Sequence, residues 1–357
     1  MASRRELVMD YRQSPICQLP IANRRSSGGT APRLPQNTTP NSTAPLGLLT
    51  CPAMPDQIAP APAPSKRKVF LRRLVSSIVL WTVVIGALFS SNRLVSDGVF
   101  LVIMMVLAGF GLVEFYGLIE KRGLVCFRGW GVVGGLLMIG STFCYLSGLL
   151  GAREAPAKAN DFETSLLIIF VLGLCVRQLA SRHNTAGILA ISTTLFGLMY
   201  VAWLLNFIQK INFFPKANGT YYVLYFILVT KFSDTGAYAV GSLIGRHKMI
   251  PRISPGKTWE GFGGAVALST LASVFFAHFA GDRLAGMNWK HAVVLGILLS
   301  TTAVIGDLIE SLFKREAGLK DSGNYFPGIG GILDLLDSLL FNAPIMYLYL
   351  RHVLTRP

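Results

Sequence analysis

Charged residues recur within three apolar stretches toward the C-terminal end of this chain. They are Lys231 and Asp234, then Asp307 and Glu310, and finally Asp334 and Asp337. A charged side chain at the centre of a membrane helix costs about 2.5–3.5 kcal/mol on insertion scales, so these six must face a protein interior or a wet cavity. Carboxylates with few histidines nearby favour a hard cation such as Mg²⁺. We therefore predict a metal site built from carboxylates.

The stretch "RISPGKTWEG", residues 252–261, places glycine, lysine and threonine together between two of these regions. It is not a P-loop, because the pattern G-x-x-x-x-G-K-[ST] requires a glycine where Pro251 stands, and the preceding segment is long, aromatic and apolar. Glycine lets a backbone approach phosphate oxygens closely, and Lys257 adds a positive charge. Together with a metal site, this loop favours phosphoryl or nucleotidyl transfer.

The composition indicates a membrane protein. Of 357 residues, 52% are hydrophobic and 14% charged, and the mean hydropathy is +0.51, whereas soluble proteins carry about a quarter charged residues. The net charge of +15 would suggest nucleic acid in a soluble domain, but in a membrane protein basic residues mark cytoplasmic loops, so we expect no nucleic-acid partner. Five cysteines without a C-x-x-C pair indicate neither a metal site nor a disulfide framework.

We predict an all-α polytopic membrane protein, because apolar runs recur at the roughly 20 residues that a helix needs to cross a bilayer. The nine predicted spans are 74–91, 99–119, 130–150, 164–181, 186–208, 221–244, 261–281, 291–313 and 328–350. Residues 1–64 are rich in Pro, Ser, Thr and Asn and are predicted to be a disordered tail. Residues 69–220 then form the N-terminal helices, and residues 221–350 form the catalytic region.

The loops between the predicted spans differ in positive charge on the two sides. One side holds seventeen lysines and arginines and the other holds nine, so the richer side, with the N-terminus, is predicted to be cytoplasmic. Asp307 and Asp334 each lie seven residues inside a predicted span, roughly 10 Å below that boundary. Asp234 lies at a similar depth. An active site so close to the headgroups, at the cytoplasmic face, favours a lipid as one substrate.

The sequence also resembles a known family. "SLFKREAGLKDSGNYFPGIGGILDLLDS", residues 311–338, is similar to the signature S-x-x-K-R-x(4)-K-D-x-G-x-x-x-P-G-H-G-G-x-x-D-R-x-D of phosphatidate cytidylyltransferases, also called CDP-diacylglycerol synthases. "GDLIES" before it and "SDTGAYAVGSLIGRHKMIPRISPGKTWEG", residues 233–261, match the same family. The resemblance covers most of residues 221–345.

The resemblance implies a reaction between CTP and phosphatidate that yields CDP-diacylglycerol and pyrophosphate. It implies an integral, multi-pass protein of a bacterial inner membrane, a homodimer, and Mg²⁺ as cofactor, with a second cation left open. The implied metal ligands are Asp307 and Asp334, with Asp337, Asp234 and Asp321 as further catalytic carboxylates. The implied substrate-binding residues are Ser254, Lys257, Thr258, Arg246, Lys248, Lys314, Arg315 and Lys320.

Two positions depart from the signature, and they leave alternatives open. Ile329 stands in place of the histidine and Leu335 in place of the arginine, which removes a hydrogen-bonding group and a possible bidentate phosphate contact. A divergent paralogue that binds CTP or lipid with weak or no activity is one alternative. A CTP-dependent lipid kinase is a second, and a transporter is a third.

Some of the singled-out residues have structural interpretations as well. Lys231–Asp234 and Glu310–Lys314 have the spacing of ion pairs within one helix. "GFGGAVALS" is typical of a close contact between membrane helices. We interpret Glu114, in the second predicted span, as a structural or helix-packing residue and not as a catalyst.

Overall fold

The computed structural model describes residues 92–149, 156–181, 186–215, 217–319, 323 and 331–355, together with Thr82 and Gly86. These residues form helices, short connections and one β-hairpin. The helices are α1 (Arg93–Lys121), α2 (Arg128–Leu146), α3 (Pro156–Leu179), α4 (Gly187–Gly197), α5 (Leu204–Asn212), α6 (Gly219–Ile244), α7 (Trp259–Ala280), α8 (Trp289–Glu316) and α9 (Ile332–Tyr349). A π-helical segment, Leu198–Trp203, joins α4 to α5, and another, Leu350–Leu354, follows α9.

Seven helical stretches are long and apolar enough to cross a membrane, which confirms an all-α polytopic membrane protein. They are Leu94–Lys121, Arg128–Leu146, Asn160–Leu179, Gly187–Asn212, Trp259–Arg283, Trp289–Glu316 and Ile332–Leu354. The predicted span 221–244 corresponds to α6, a helix of 26 residues that carries Lys231 and Asp234 and is not among the seven. The predicted span 74–91, apart from Thr82 and Gly86, and the predicted tail, residues 1–64, lie outside the described residues.

The last four helices, α6 to α9, pack against one another and contain four of the five predicted catalytic aspartates. Glycines bring α6 and α7 close together: a Cβ atom on Gly236 would lie 2.5 Å from the Gly264 carbonyl oxygen, and one on Gly264 would lie 2.8 Å from the Gly236 oxygen. Larger side chains at these positions would push the helices apart. The contact predicted for "GFGGAVALS" is thus confirmed, and it holds the half of α6 that bears Asp234 against α7.

A buried polar cluster sets the relative heights of α6, α8 and α9. Asn342 Nδ2 donates a hydrogen bond to Thr230 Oγ1 at 2.7 Å, and Asn342 Oδ1 accepts one from Thr302 Oγ1 at 2.5 Å. Each of these residues lies about one helical turn from an aspartate of its own helix. Slippage of any one helix would leave a buried amide or hydroxyl unpaired, so the cluster keeps three acidic side chains at one level.

The connection between α6 and α7, predicted as a loop, is a β-hairpin. Strand β1 (Lys248–Ile250) pairs antiparallel with β2 (Ser254–Thr258), with Lys248 opposite Thr258 and Ile250 opposite Ser254. β2 runs directly into α7, because Thr258 Oγ1 accepts a hydrogen bond from Gly261 N at 3.1 Å and caps that helix.

The hairpin is attached to the helices at its base and at its turn. At the base, the Glu260 carboxylate accepts hydrogen bonds from the backbone N–H groups of Arg246 and His247 at 3.1–3.2 Å. At the turn, Arg315 Nε of α8 donates a hydrogen bond to the Ile253 carbonyl at 3.2 Å. These contacts hold the hairpin over the ends of the helices.

A buried ion pair links α3 to α5. Lys210 Nζ lies 2.5 Å from Glu163 Oε2, and both side chains are almost fully buried. Glu163 Oε1 accepts a further hydrogen bond from Asn206 Nδ2 at 2.7 Å. Because both charges are compensated, this ion pair fixes the packing of the first helices without leaving a charge free for chemistry.

Candidate active site

A cavity of about 380 Å³ lies between the hairpin and the ends of the last four helices. Its walls combine carboxylates, hairpin residues and apolar side chains. The lining residues are Asp234, Ala237, Tyr238, Met249, Ser254, Gly256, Lys257, Thr258, Gly261, Phe262, Val304, Asp307, Asp334 and Asp337. Four of the five predicted catalytic aspartates therefore reach one cavity, and the fifth, Asp321, lies outside the described residues.

Three carboxylates form a cluster at this cavity, and two of them, Asp307 and Asp337, line it. Single oxygens of Asp307 and Glu310 on α8 and Asp337 on α9 all lie within 4.8 Å of one another. The spacing i, i+3 places Asp307 and Glu310 on one face of α8. Three like charges at such separations repel strongly unless a cation lies among them.

The carboxylate cluster fits a divalent cation with oxygen ligands. Glu310 is fully buried, and none of the described residues donates a hydrogen bond to its Oε1 atom. A buried carboxylate oxygen without a donor is costly, and coordination of a metal would satisfy it. Mg²⁺ and similar ions prefer such ligands, so Asp307, Glu310 and Asp337 could hold one.

Lys257 already places a positive charge beside this cluster. It extends from β2, and its Nζ atom lies 2.5 Å from Asp307 Oδ2. Both side chains are only partly buried, so solvent and ligands can reach the pair. The residue predicted to bind phosphate is thus ion-paired with a predicted metal ligand.

Asp334 has a different environment from the other predicted metal ligand. Its Oδ1 accepts a hydrogen bond from Lys314 Nζ at 2.7 Å, and its Oδ2 accepts one from the backbone N–H of Gly331 at 2.7 Å. Lys314 Nζ also lies 2.5 Å from Glu310 Oε2, which confirms the ion pair predicted from the i, i+4 spacing. Lys314 therefore bridges α8 and α9. Metal ligation by Asp334 stays a prediction.

A smaller network surrounds Asp234. Its Oδ2 atom accepts hydrogen bonds from Lys231 Nζ and from Ser338 Oγ, both at 3.2 Å, which confirms the predicted ion pair. Lys231 Nζ also lies 3.3 Å from the carbonyl oxygen of Leu335. The Lys231 ammonium group therefore lies beside the backbone of Leu335, the position at which the family signature has arginine. The same Ser338 Oγ lies 2.9 Å from Asp337 Oδ1, so its single hydrogen is shared between the two carboxylates.

The remaining predicted substrate-binding residues fall into three groups. Ser254, Lys257 and Thr258 line the cavity. The Thr258 hydroxyl differs from the other two groups because it already accepts a hydrogen bond as the cap of α7. Three basic residues are exposed outside the cavity lining: Arg246, Lys248 and Arg315. Lys320 lies outside the described residues, as does Ile329. The assignments to substrate binding stay predictions.

The sequence did not single out the apolar lining of the cavity. Tyr238 lies four residues after Asp234, so helical spacing would have placed both on one face of α6. Met249 and Phe262 gave no comparable signal, because their positions depend on the hairpin and on its attachment to α7.

Glu114 fixes the start of α9, which confirms its interpretation as a structural residue. Its Oε1 atom accepts a hydrogen bond from Ile332 N at 3.0 Å, and its Oε2 atom accepts one from Leu333 N at 2.7 Å. The first backbone N–H groups of a helix have no partner within the helix, and they attract a negative charge. Glu114, on α1, therefore positions the helix that carries Asp334 and Asp337.

Replacement of Glu114 by glutamine should destabilise the protein. The amide has one acceptor oxygen and no charge, so one buried N–H of α9 loses its partner, at a cost of about 2 kcal/mol. We expect a lower melting temperature in detergent for Glu114→Gln than for Glu120→Gln, a substitution on the same helix that removes only an exposed ion pair with Arg128 of α2. Equal melting temperatures would contradict a capping role.

Most of the chain is similar to known proteins. A model of the cytidylyltransferase family matches residues 71–353. The uncharacterized protein YnbB of Escherichia coli strain K12 is 31% identical over 266 residues, covering 70% of this chain and 80% of that protein. The phosphatidate cytidylyltransferase of Staphylococcus haemolyticus is 34% identical over 242 residues, covering 60% of this chain and 92% of that protein. That of Mycobacterium bovis is 33% identical over 222 residues, covering 60% and 70%. Because the family model spans well over half of the sequence, the chain belongs to the cytidylyltransferase family.

Proposed function

We propose that this protein joins CTP and phosphatidate to give CDP-diacylglycerol and pyrophosphate. The observation that carries the proposal is the cluster of Asp307, Glu310 and Asp337 beside a lysine of the hairpin, in a chain of the cytidylyltransferase family. Carboxylates for a metal and a cation for phosphate are what nucleotidyl transfer requires. Two relatives described above carry the name phosphatidate cytidylyltransferase.

In the proposed reaction, an oxygen of the lipid phosphate attacks the α-phosphorus of CTP. A P–O bond forms there, the bond between the α-phosphorus and the bridging oxygen breaks, and its electron pair leaves with pyrophosphate. Bound Mg²⁺ would neutralise charge on the triphosphate, with Asp307, Glu310 and Asp337 as its ligands. The protein otherwise acts by holding charged groups in place.

The hairpin and the helix ends would divide the remaining tasks. Lys257 would exchange its contact with Asp307 for an oxygen of the triphosphate. Gly256, beside it, would let the backbone approach phosphate closely. Lys314 would hold Glu310 and Asp334 in position, and the hairpin would shield the reacting phosphates from water.

The proposal includes a place and an orientation in the membrane. The excess of lysine and arginine on the hairpin side supports placing that side in the cytoplasm, where CTP is available, and we propose a bacterial inner membrane. Phosphatidate would then reach the cavity from the cytoplasmic leaflet. A homodimer is also proposed, on family membership alone.

The reaction can be tested with protein purified in detergent, phosphatidate, Mg²⁺ and CTP labelled at one phosphorus. Label at the α-position should enter the lipid phase as CDP-diacylglycerol, whereas label at the γ-position should appear in pyrophosphate. A lipid kinase would give the reverse pattern, with γ-label in the lipid. The two labels are matched controls for each other, because protein, lipid and metal are identical.

A folded protein that binds CTP but leaves both labels in the aqueous phase would contradict the proposal. The departures from the family signature would then be examined with the double substitution Ile329→His and Leu335→Arg. Activity gained by that variant would identify the wild-type chain as a silenced relative.

A further inference from the structure

We propose that the hydroxyl of Tyr200 positions an oxygen atom at the carboxylate cluster, either of water on the bound cation or of a phosphate of CTP. This inference rests on the proposed metal-dependent transfer. Tyr200 is 5% exposed, and none of the described residues forms a hydrogen bond with its hydroxyl. A buried hydroxyl without a partner destabilises the protein, so a ligand that pairs with it binds more tightly.

The other buried tyrosines show that this is unusual within the described part of the chain. The hydroxyls of Tyr116 and Tyr222 each lie 2.7 Å from a backbone carbonyl oxygen, those of Thr194 and Ala285. The hydroxyl of Tyr225 lies 2.6 Å from Ser273 Oγ. Tyr347 accepts a hydrogen bond from Arg351. Tyr200 therefore differs from four tyrosines of comparable burial, because each of their hydroxyls has a hydrogen-bond partner within the protein.

Packing places the ring of Tyr200 against the faces of α8 and α9 that carry the carboxylate cluster. Its ring contacts Phe313 on α8, with centroids 5.4 Å apart, and Phe341 on α9, with centroids 6.2 Å apart. Phe313 follows Glu310 by three residues and Phe341 follows Asp337 by four, so each phenylalanine lies on the carboxylate-bearing face of its helix. The acidic groups that interact electrostatically with the Tyr200 hydroxyl are Glu310, Asp337 and Asp307.

The backbone at Tyr200 has a form that is frequent at functional sites. Tyr200 lies in the π-helical segment Leu198–Trp203, between α4 and α5. Wider turns of this kind change the angle at which the following side chains leave the helix. Phenylalanine would fill the same space between the surrounding aromatic rings without an unpaired hydroxyl, so packing alone does not account for tyrosine here.

The test is the binding of Mn²⁺ to purified wild-type and Tyr200→Phe protein, measured from the electron paramagnetic resonance signal of free Mn²⁺, with and without CTP. Asp307→Asn protein gives the background from other sites. If the oxygen belongs to water on the cation, Tyr200→Phe should weaken Mn²⁺ binding about tenfold without CTP. If it belongs to a phosphate, the weakening should appear only with CTP. The melting temperature should not fall.

Tyr116→Phe is the matched control, because it removes a buried hydroxyl that has a partner in the protein. It should lower the melting temperature and leave Mn²⁺ binding unchanged. Equal Mn²⁺ affinities of wild-type and Tyr200→Phe protein, with and without CTP, would overturn the inference even if the wild-type protein makes CDP-diacylglycerol. Conversely, weakened Mn²⁺ binding in a protein that makes none would support Tyr200 and overturn the proposed reaction. A wild-type protein that binds no Mn²⁺ above background would overturn the proposed metal site and the inference together.

Discussion

Asp307→Asn should abolish cytidylyl transfer while the protein still folds and enters the membrane. Asp307 belongs to the carboxylate cluster, lines the cavity and is ion-paired with Lys257. Asparagine has nearly the same shape, so the packing of α8 should persist, but it cannot supply the negative charge that a divalent cation requires. Loss of the metal removes about 4 kcal/mol of transition-state stabilisation, or about 1000-fold in rate. The rate of transfer from α-labelled CTP measures this directly.

Asp282→Asn is a suitable control, because it removes one carboxylate from the exposed turn after α7 and leaves the cavity untouched. Its rate should equal that of the wild-type protein. A near-normal rate for Asp307→Asn at saturating Mg²⁺, with normal elution from a size-exclusion column, would remove Asp307 from the metal site.

Lys257→Met should have opposite effects on the binding of Mn²⁺ and of CTP. Without nucleotide, the ammonium group 2.5 Å from Asp307 competes with a metal for that carboxylate. Its removal should tighten Mn²⁺ binding, by about tenfold. With nucleotide, the same substitution removes a charge-assisted hydrogen bond to phosphate, which corresponds to a loss in CTP affinity of about 10- to 100-fold. Methionine keeps most of the apolar length of the side chain.

Equilibrium binding of Mn²⁺ and of CTP, measured separately on the same preparation, distinguishes this dual role from a purely structural one. Lys290→Met, which removes an exposed lysine at the start of α8, controls for the change in net charge. If Lys257 only held the hairpin in place, both ligands would bind more weakly. Unchanged binding of both would make the ion pair with Asp307 irrelevant to ligand binding.

The lengths of the apolar runs and the charged residues within them were sufficient to predict much of this architecture. Each predicted span within the described residues corresponds to a helix, because a bilayer permits little other than helices of that length. The convergence of Asp234, Asp307 and Asp334 on one cavity followed from their depth below the same boundary and from the cost of facing lipid.

The contacts that complete the site could not be read from the sequence. Glu114 caps a helix more than two hundred residues away along the chain, and nothing in its local pattern indicates that partner. Glu310 satisfied the spacing of an ion pair with Lys314, which concealed its position in the carboxylate cluster. The hairpin strands are three and five residues long, too short and too rich in glycine and proline to show an alternating pattern.

The capped start of α9 also determines how much of the chain is needed for a working enzyme. Every residue of the family signature lies in the last third of the sequence, and a fragment containing only α6 to α9 would retain all the aspartates and lysines of the cavity. It would lack α1, and with it the carboxylate that holds the first turn of α9 in place. The motif therefore marks the site of the proposed chemistry, and we expect the smallest unit able to perform it to begin at least as early as α1.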